Sequence, residues 1–236
     1  MFAIHDTADE KRRQVLERLF FHDVLNTAGG LSGLLDILPE LDKEEAVEVG
    51  HEAHFLAEQL IEEIQSQRDL AAAERGDLKV TSGVIDAVDL LRRLSILYRH
   101  HSVAQGKTMV VREGAQRVVL QSDARLLARV LGNLIKNALE ASKKDETVTV
   151  WVENGAAPAF HVHNEAAMPE EVQAQMFQRS FSTKGGVGRG VGTYSVKLLT
   201  QNYLRGTVEF HSSAAAGTMF TVRLPPRLDV GPDGAR

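Results

Sequence analysis

The chain has 236 residues, 43% of them hydrophobic and 25% charged, the composition of a folded globular protein with room for one large domain or two modest ones. A net charge of -5 with no basic block argues against a nucleic-acid partner, and the lack of cysteine excludes disulfides, thiolate chemistry and cysteine-bound zinc. No apolar run approaches the roughly 20 residues that span a bilayer, so no membrane segment is expected and the chain reads as soluble and cytoplasmic.

From Glu10 to Arg75 the pattern is helical. Phe21, Val24, Ala28, Leu31, Leu35 and Leu38 recur three and four apart, which lines them along one stripe. Pro39 stops that helix, because the residue before a proline is pushed out of the α region. Asp42, with Glu45 three residues on, has the spacing of a capping box and starts a second helix that Gly76 ends. So short a connection makes the two helices an antiparallel hairpin. A lone hairpin leaves its seam uncovered, and two of them pairing as a four-helix bundle would cover it, so a homodimer is expected.

Beyond Asp77 helix and strand signals alternate. Strands are expected near Lys79–Thr81, Lys107–Arg112, Arg117–Leu120, Thr147–Val152, Ala159–His163, Gly206–His211 and Thr218–Leu224. Helices are expected at Val84–Gln105, Asp123–Ser142 and Val191–Tyr203. The fold class is α+β, with antiparallel strands in a two-layer α/β sandwich and a loose tail at the end.

Three segments carry chemistry. The first is Phe20-Phe21-His22-Asp23-Val24-Leu25-Asn26. His22 lies one residue, about 100° of rotation, from the seam position Phe21 and so flanks the stripe and reaches solvent. Asp23 can orient the imidazole or accept its proton, leaving the other ring nitrogen as nucleophile. Asn26, one turn along, can place a water against a phosphorylated side chain. Gly29, Gly30 and Gly33 continue this face, and glycine in a helix costs roughly 1 kcal/mol relative to alanine. They allow either close approach of another domain to His22 or tight packing within the bundle.

In the second, Leu131 to Ser142, Asn133 and Asn137 are four apart on one helix face. Their amide oxygens are hard ligands suited to a Mg²⁺ that keeps waters and phosphate oxygens. In the third, Phe181 to Lys197, Gly188, Gly190 and Gly192 alternate just before an apolar helix starting at Val191. Backbone amides there suit phosphate, with Lys184 and Arg189 adding positive charge and Thr183 and Thr193 in the same segment. The bland alternatives are a solvated helix histidine, two surface asparagines and a flexible loop. His51 with His54, and His100 with His101, lack the carboxylates that would complete a metal site, and Trp151 reads as a packing residue.

In this order, the segments resemble the catalytic core of sensor histidine kinases over nearly the whole chain. Residues 11–76 resemble the dimerisation and phosphotransfer hairpin, with His22 as phosphoacceptor. Residues 77–225 resemble the ATP-binding domain shared with gyrase, a heat-shock chaperone class and mismatch-repair ATPases. The match makes Asn133 and Asn137 the N-box, Phe177 and Phe181 the F-box, and Gly188 to Gly192 a glycine box over the triphosphate. It implies Asn137 as magnesium ligand and Thr218 near the adenine. Where the first glycine box usually supplies an aspartate for the adenine amino group, Val162-His163-Asn164-Glu165-Ala166-Ala167 offers Asn164, a neutral acceptor, so weaker or altered nucleotide binding is among the alternatives. Residues 1–10 resemble the exit of a PAS sensory domain, and 226–236 are expected as a flexible tail.

The resemblance implies an ATP- and magnesium-dependent kinase that phosphorylates its own His22, catalysing by positioning and charge neutralisation, and passes the phosphoryl group to a response-regulator receiver aspartate. Asn26 would support dephosphorylation of that partner. The alternatives are a phosphotransfer scaffold with a decayed ATP domain, or an ATPase that uses nucleotide to clamp its dimer.

Overall fold

The computed structural model describes residues 21–22, 24–99, 101–112, 114, 117–178 and 192–229, without the side chains of 59, 62, 63 and 66. These fall into two units, one ending at Ala72 and one beginning at Ala73.

The first unit is helical. Helix α1 covers residues 24–37, Leu38–Glu40 tighten into a 3₁₀ turn with Pro39 in its opening positions, and α2 runs Lys43–Arg75. The start of α2 is a complete capping box. Asp42 Oδ1 accepts from the Glu44 and Glu45 amides at 2.9 and 3.0 Å, and Glu45 Oε2 accepts from the Asp42 amide at 3.4 Å. Gly76, at φ +77°, ends the helix in the left-handed conformation that favours glycine. A side chain at Gly30 would touch Leu56 of α2, so the two helices lie alongside each other. The expected seam is only partly covered in the single chain: Phe21 is 54% and Leu35 50% exposed, and Leu25, Ile37, Val47, Ile61 and Ile64 are also exposed.

The second unit is an α/β sandwich. Its strands are β1 (Gly83–Asp86), β2 (Thr108–Val111), β3 (Val119–Ser122), β4 (Thr147–Glu153), β5 (Ala159–Asn164), β6 (Thr207–Ser213) and β7 (Gly217–Arg223). Its helices are α3 (Ala87–Arg99), α4 (Ala124–Ala141), the short α5 (Glu170–Gln173) and α6 (Gly192–Leu198). Five strands form one sheet in the order β2-β4-β5-β7-β6, and β1 and β3 form a separate antiparallel pair. Alternation builds the core. Val148, Val150 and Val152 of β4, Phe160 and Val162 of β5, and Phe220 and Val222 of β7 are buried on the face that α3, α4 and α6 cover. Helix α4 brings Leu127, Val130, Leu131, Leu134, Ile135 and Ala138 against them.

Local chemistry explains where the elements depart from expectation. No strand forms at Lys79–Thr81, because the Thr81 amide is held by Asp123 Oδ2 at 2.7 Å. Asp123 is buried and caps α4 with its other oxygen, 2.9 Å from the Leu126 amide. The helix expected from Val84 starts at Ala87, after Asp86, whose carboxylate accepts from the Asp89 amide at 3.2 Å. Strand β2 runs parallel to β4, against the all-antiparallel expectation, because the connection between them passes through β3 and α4 and returns the chain in the same direction. Pro226–Leu228 lie along β3, with Leu228 buried, so the segment expected as tail begins with three placed residues. After α6 the chain widens into a π turn, Leu199–Tyr203, closed by the Leu204 amide on the Leu199 carbonyl at 2.9 Å. Tyr203 Oη donates to the Ala73 carbonyl at 2.6 Å, and burial, with Asp77 nearby, raises its pKa above the usual tyrosine value.

Candidate functional site

In the helical unit, His22 and Asn26 are one turn apart and both exposed, with Asn26 Nδ2 3.1 Å from His22 Nδ1. The spacing of four brings the amide over the ring. An amide presents either a donor or an acceptor there, so Asn26 fixes the ring's orientation and leaves Nε2 pointing away from it. Asp23 lies outside the described residues. A side chain added at Gly29 or Gly33 would meet nothing within 4 Å, so neither glycine answers to close packing in this chain.

In the sandwich unit, α4 places Asn133 and Asn137 one turn apart, both half-buried. Asn133 Nδ2 donates to Ser195 Oγ at 3.2 Å, and Ser195 Oγ donates to the Gly192 carbonyl at 2.8 Å. Asn133 therefore ties α4 to the first turn of α6, where Gly192 and Thr193 sit, whereas the Asn137 side chain makes no hydrogen bond among the described residues. Thr183, Lys184, Gly188, Arg189, Gly190 and Val191, with Phe181, lie outside the described residues. Phe177 packs edge-on to Phe210 at 5.8 Å and Phe220 at 6.4 Å, with the Lys197 ammonium 5.8 Å over its ring.

Asn164 and Thr218 are direct partners across the β5–β7 ladder, at the strand ends and on the face covered by α4. Thr218 belongs to a chain of hydrogen bonds whose direction can be worked out. The Ala166 carbonyl can only accept, so the Thr218 hydrogen goes to it at 2.7 Å, the Ser212 hydrogen goes to Thr218 Oγ1 at 2.7 Å, and Ser212 Oγ in turn accepts from the Met168 amide at 2.8 Å. Thr218 thus fastens the segment after β5. Asn164 is 3% exposed, and its Nδ2 has no hydrogen-bond partner. Next to Thr218, Gly217 has φ +66°, and a side chain there would collide with the Asn164 carbonyl and the Glu165 backbone. Sequence reasoning missed Ser195, Ser212 and Gly217. The β6–β7 hairpin register, which pairs Ser212 with Thr218, was the signal for the second.

Among the described residues the other histidines do not make a metal centre. His54 pairs with Glu58 at 3.4 Å, His101 Nδ1 accepts from the Val103 amide, and among the described residues no three His, Asp or Glu side chains converge as ligands. Among the described residues no helix is long and apolar enough to cross a membrane.

Residues 122–228 match the family described as histidine kinase-, DNA gyrase B- and HSP90-like ATPase. The probable C4-dicarboxylate sensor kinase of Halalkalibacterium halodurans is 31% identical over 139 residues, 52% of this chain and 26% of that protein. The sensor-like histidine kinase SenX3 of Mycobacterium tuberculosis is 27% identical over 255 residues, 99% of this chain and 60% of the relative. The chain thus spans less than two thirds of either relative. Among solved structures, Acinetobacter baumannii histidine kinase AdeS superposes with TM-score 0.63 at 15% identity, over 86% of this chain and 97% of that one. Full-length ShkA, solved in complex with AMPPNP, gives 0.62 at 18% identity, over 90% of this chain and 45% of that one. The catalytic core resembles the ATP-binding domain of sensor histidine kinases in sequence and in fold. The site suits such a nucleotide: the buried Asn164 amide nitrogen lacks a partner, and the Asn137 side-chain oxygen, which has no partner among the described residues, is a hard ligand suited to magnesium beside phosphate oxygens and water.

Proposed function

We propose, on the premise that residues 122–228 form an ATPase domain of the histidine kinase type, that this chain is the cytoplasmic catalytic core of a sensor histidine kinase. The γ-phosphoryl group of ATP passes to His22 and then to an aspartate in the receiver domain of a response regulator. The observation that carries the reading is an exposed His22 held by Asn26 in the same chain as that ATPase domain. The contact of Asn26 Nδ2 with Nδ1 turns the other ring nitrogen, Nε2, away from Asn26, and Nε2 is the nitrogen that attacks the γ-phosphorus. An N–P bond forms, the bond from γ-phosphorus to the bridging oxygen breaks, and ADP leaves. Asp23 is the acceptor for the ring proton. Asn137 would hold a magnesium ion, which would neutralise charge on the phosphates. Asn133, Asn164, Thr183, Lys184, Gly188, Arg189, Gly190, Val191, Gly192, Thr193 and Thr218 form or support the nucleotide site.

The hairpin of residues 11–76 pairs with that of a second copy. Exposed Leu25, Leu35, Ile37, Val47, Ile61 and Ile64 supply the apolar surface that a four-helix bundle would bury. Incubation with γ-labelled ATP tests the core claim. Wild type takes up acid-labile label and His22→Ala takes up none; label retained in the variant, or absent from both, refutes it. A second reading, a phosphotransfer scaffold with a decayed ATP domain, is favoured by neutral Asn164 followed by Ala166 and Ala167. It requires that calorimetry find no magnesium-dependent nucleotide binding.

A further inference from the structure

Asn164 ends β5 on the α4 side of the sheet, almost fully buried, with two amide hydrogens and no acceptor for them. A polar group in that state has lost its water without replacement, and such groups in folded proteins are normally satisfied. Its neighbours are committed elsewhere. Thr218 already receives the Ser212 hydrogen and gives its own to Ala166, so it has no hydrogen for a ligand. The Asn164 backbone is fixed, because its carbonyl lies against Gly217 where a side chain would stand. The terminal amide alone is free to turn, about a torsion with two broad minima.

We propose that Asn164 reads the nucleobase and that, being an amide, it accepts guanine as well as adenine. The inference rests on the reading above that this domain binds a purine nucleotide. Adenine offers an amino donor at N6 beside the N1 acceptor. Guanine offers the O6 acceptor beside the N1–H donor. An amide meets the first pair with oxygen to N6–H and nitrogen to N1. Turned over, it meets the second with nitrogen to O6 and oxygen to N1–H. A carboxylate in the same place has acceptors only, so it would meet the adenine amino group and set its charge against guanine O6. The departure of Asn164 from the aspartate of the resembling family is thus a change of specificity.

Calorimetric titration of the whole chain with ADP and GDP, in magnesium, tests this without turnover. In the wild type the two dissociation constants fall within about tenfold of each other, and Asn164→Asp shifts the ratio toward ADP by about tenfold or more, the scale of one unmet polar group. Asn164→Ala weakens both to a similar extent, which decides the matter should the aspartate variant fail to fold. ADP binding with no GDP binding in the wild type overturns the proposal, as does an unchanged ratio in folded Asn164→Asp. If neither nucleotide binds, the nucleotide-domain reading falls and this one with it.

Discussion

The imidazole of His161 lies flat against the indole of Trp151, ring centroids 4.6 Å apart and planes within 15°. The two face each other across the β4–β5 ladder on the side of the sheet away from the helices, with the Arg112 guanidinium 4.5 Å over the indole. Burial holds the His161 imidazole below the ordinary histidine range. Glu153, 3.5 Å away, opposes that shift, Arg223 adds to it and Glu209 opposes it. A histidine depressed in the folded state contributes stability that is complete above its unfolded value, about 6.5, and is lost as pH falls through the folded one. The urea midpoint should therefore drop between about pH 7.5 and pH 5.5, and His161→Phe, which keeps a ring against Trp151, should flatten the drop. Equal slopes in the two proteins would show that His161 is not the group responsible.

Asp42 holds two amides at the start of α2, and no other side chain described there can replace its Oδ1. Asp42→Ala should cost about 1 kcal/mol of helical-unit stability, with Asp42→Asn or Asp42→Ser losing only part of it. Thermal unfolding followed by circular dichroism reads the difference. A neutral result would mean that α2 frays past Glu45 in solution.

Alanine fits at Gly29 and Gly33 with nothing to meet, and at Gly30 it reaches an ordinary contact with Leu56 at 3.6 Å. Changing all three should stabilise α1 by roughly 1 kcal/mol per site. The same variant should transfer phosphoryl groups to and from His22 more slowly, because the three methyl groups roughen the approach to it. A more stable protein with an unaltered transfer rate would remove the idea that the bare helix face serves access.

Thr218→Val keeps the shape but leaves the Ser212 hydrogen and the Ala166 carbonyl without partners. The expected loss is about 1–3 kcal/mol, with nucleotide affinity falling as the segment after β5 loosens. Thr218→Ser retains the hydroxyl and should recover most of both. Chemical denaturation and nucleotide titration of the two variants, side by side, separate the hydroxyl from the methyl group.

Much of this was legible in advance, for identifiable reasons. Asp123 and Ser142 bracket α4 because a buried acid caps one end and a serine closes the other, and both are marked in the sequence. Asp42, Glu45 and Gly76 announce α2 in the same way. Such features are local. What escaped depends on contacts far apart in the chain: Thr81 being taken by Asp123, β2 joining β4 in parallel, and Thr218 fastening Ala166. In the candidate site, spacing placed Asn133 and Asn137 on one face but could not reveal that Asn133 is occupied by Ser195. Nor could it reveal that Asn164 Nδ2 is left unmet.

The widened turn at Leu199–Tyr203 carries one residue more than a regular helix would use, and each residue turns the chain by about 100°. Removing one would let the turn tighten, yet it would swing the Tyr203 ring off the Ala73 carbonyl and Leu204 out of the core. Side chains within this turn can be exchanged more freely than their number, so an insertion or deletion here does harm that no better helix-forming residue repairs.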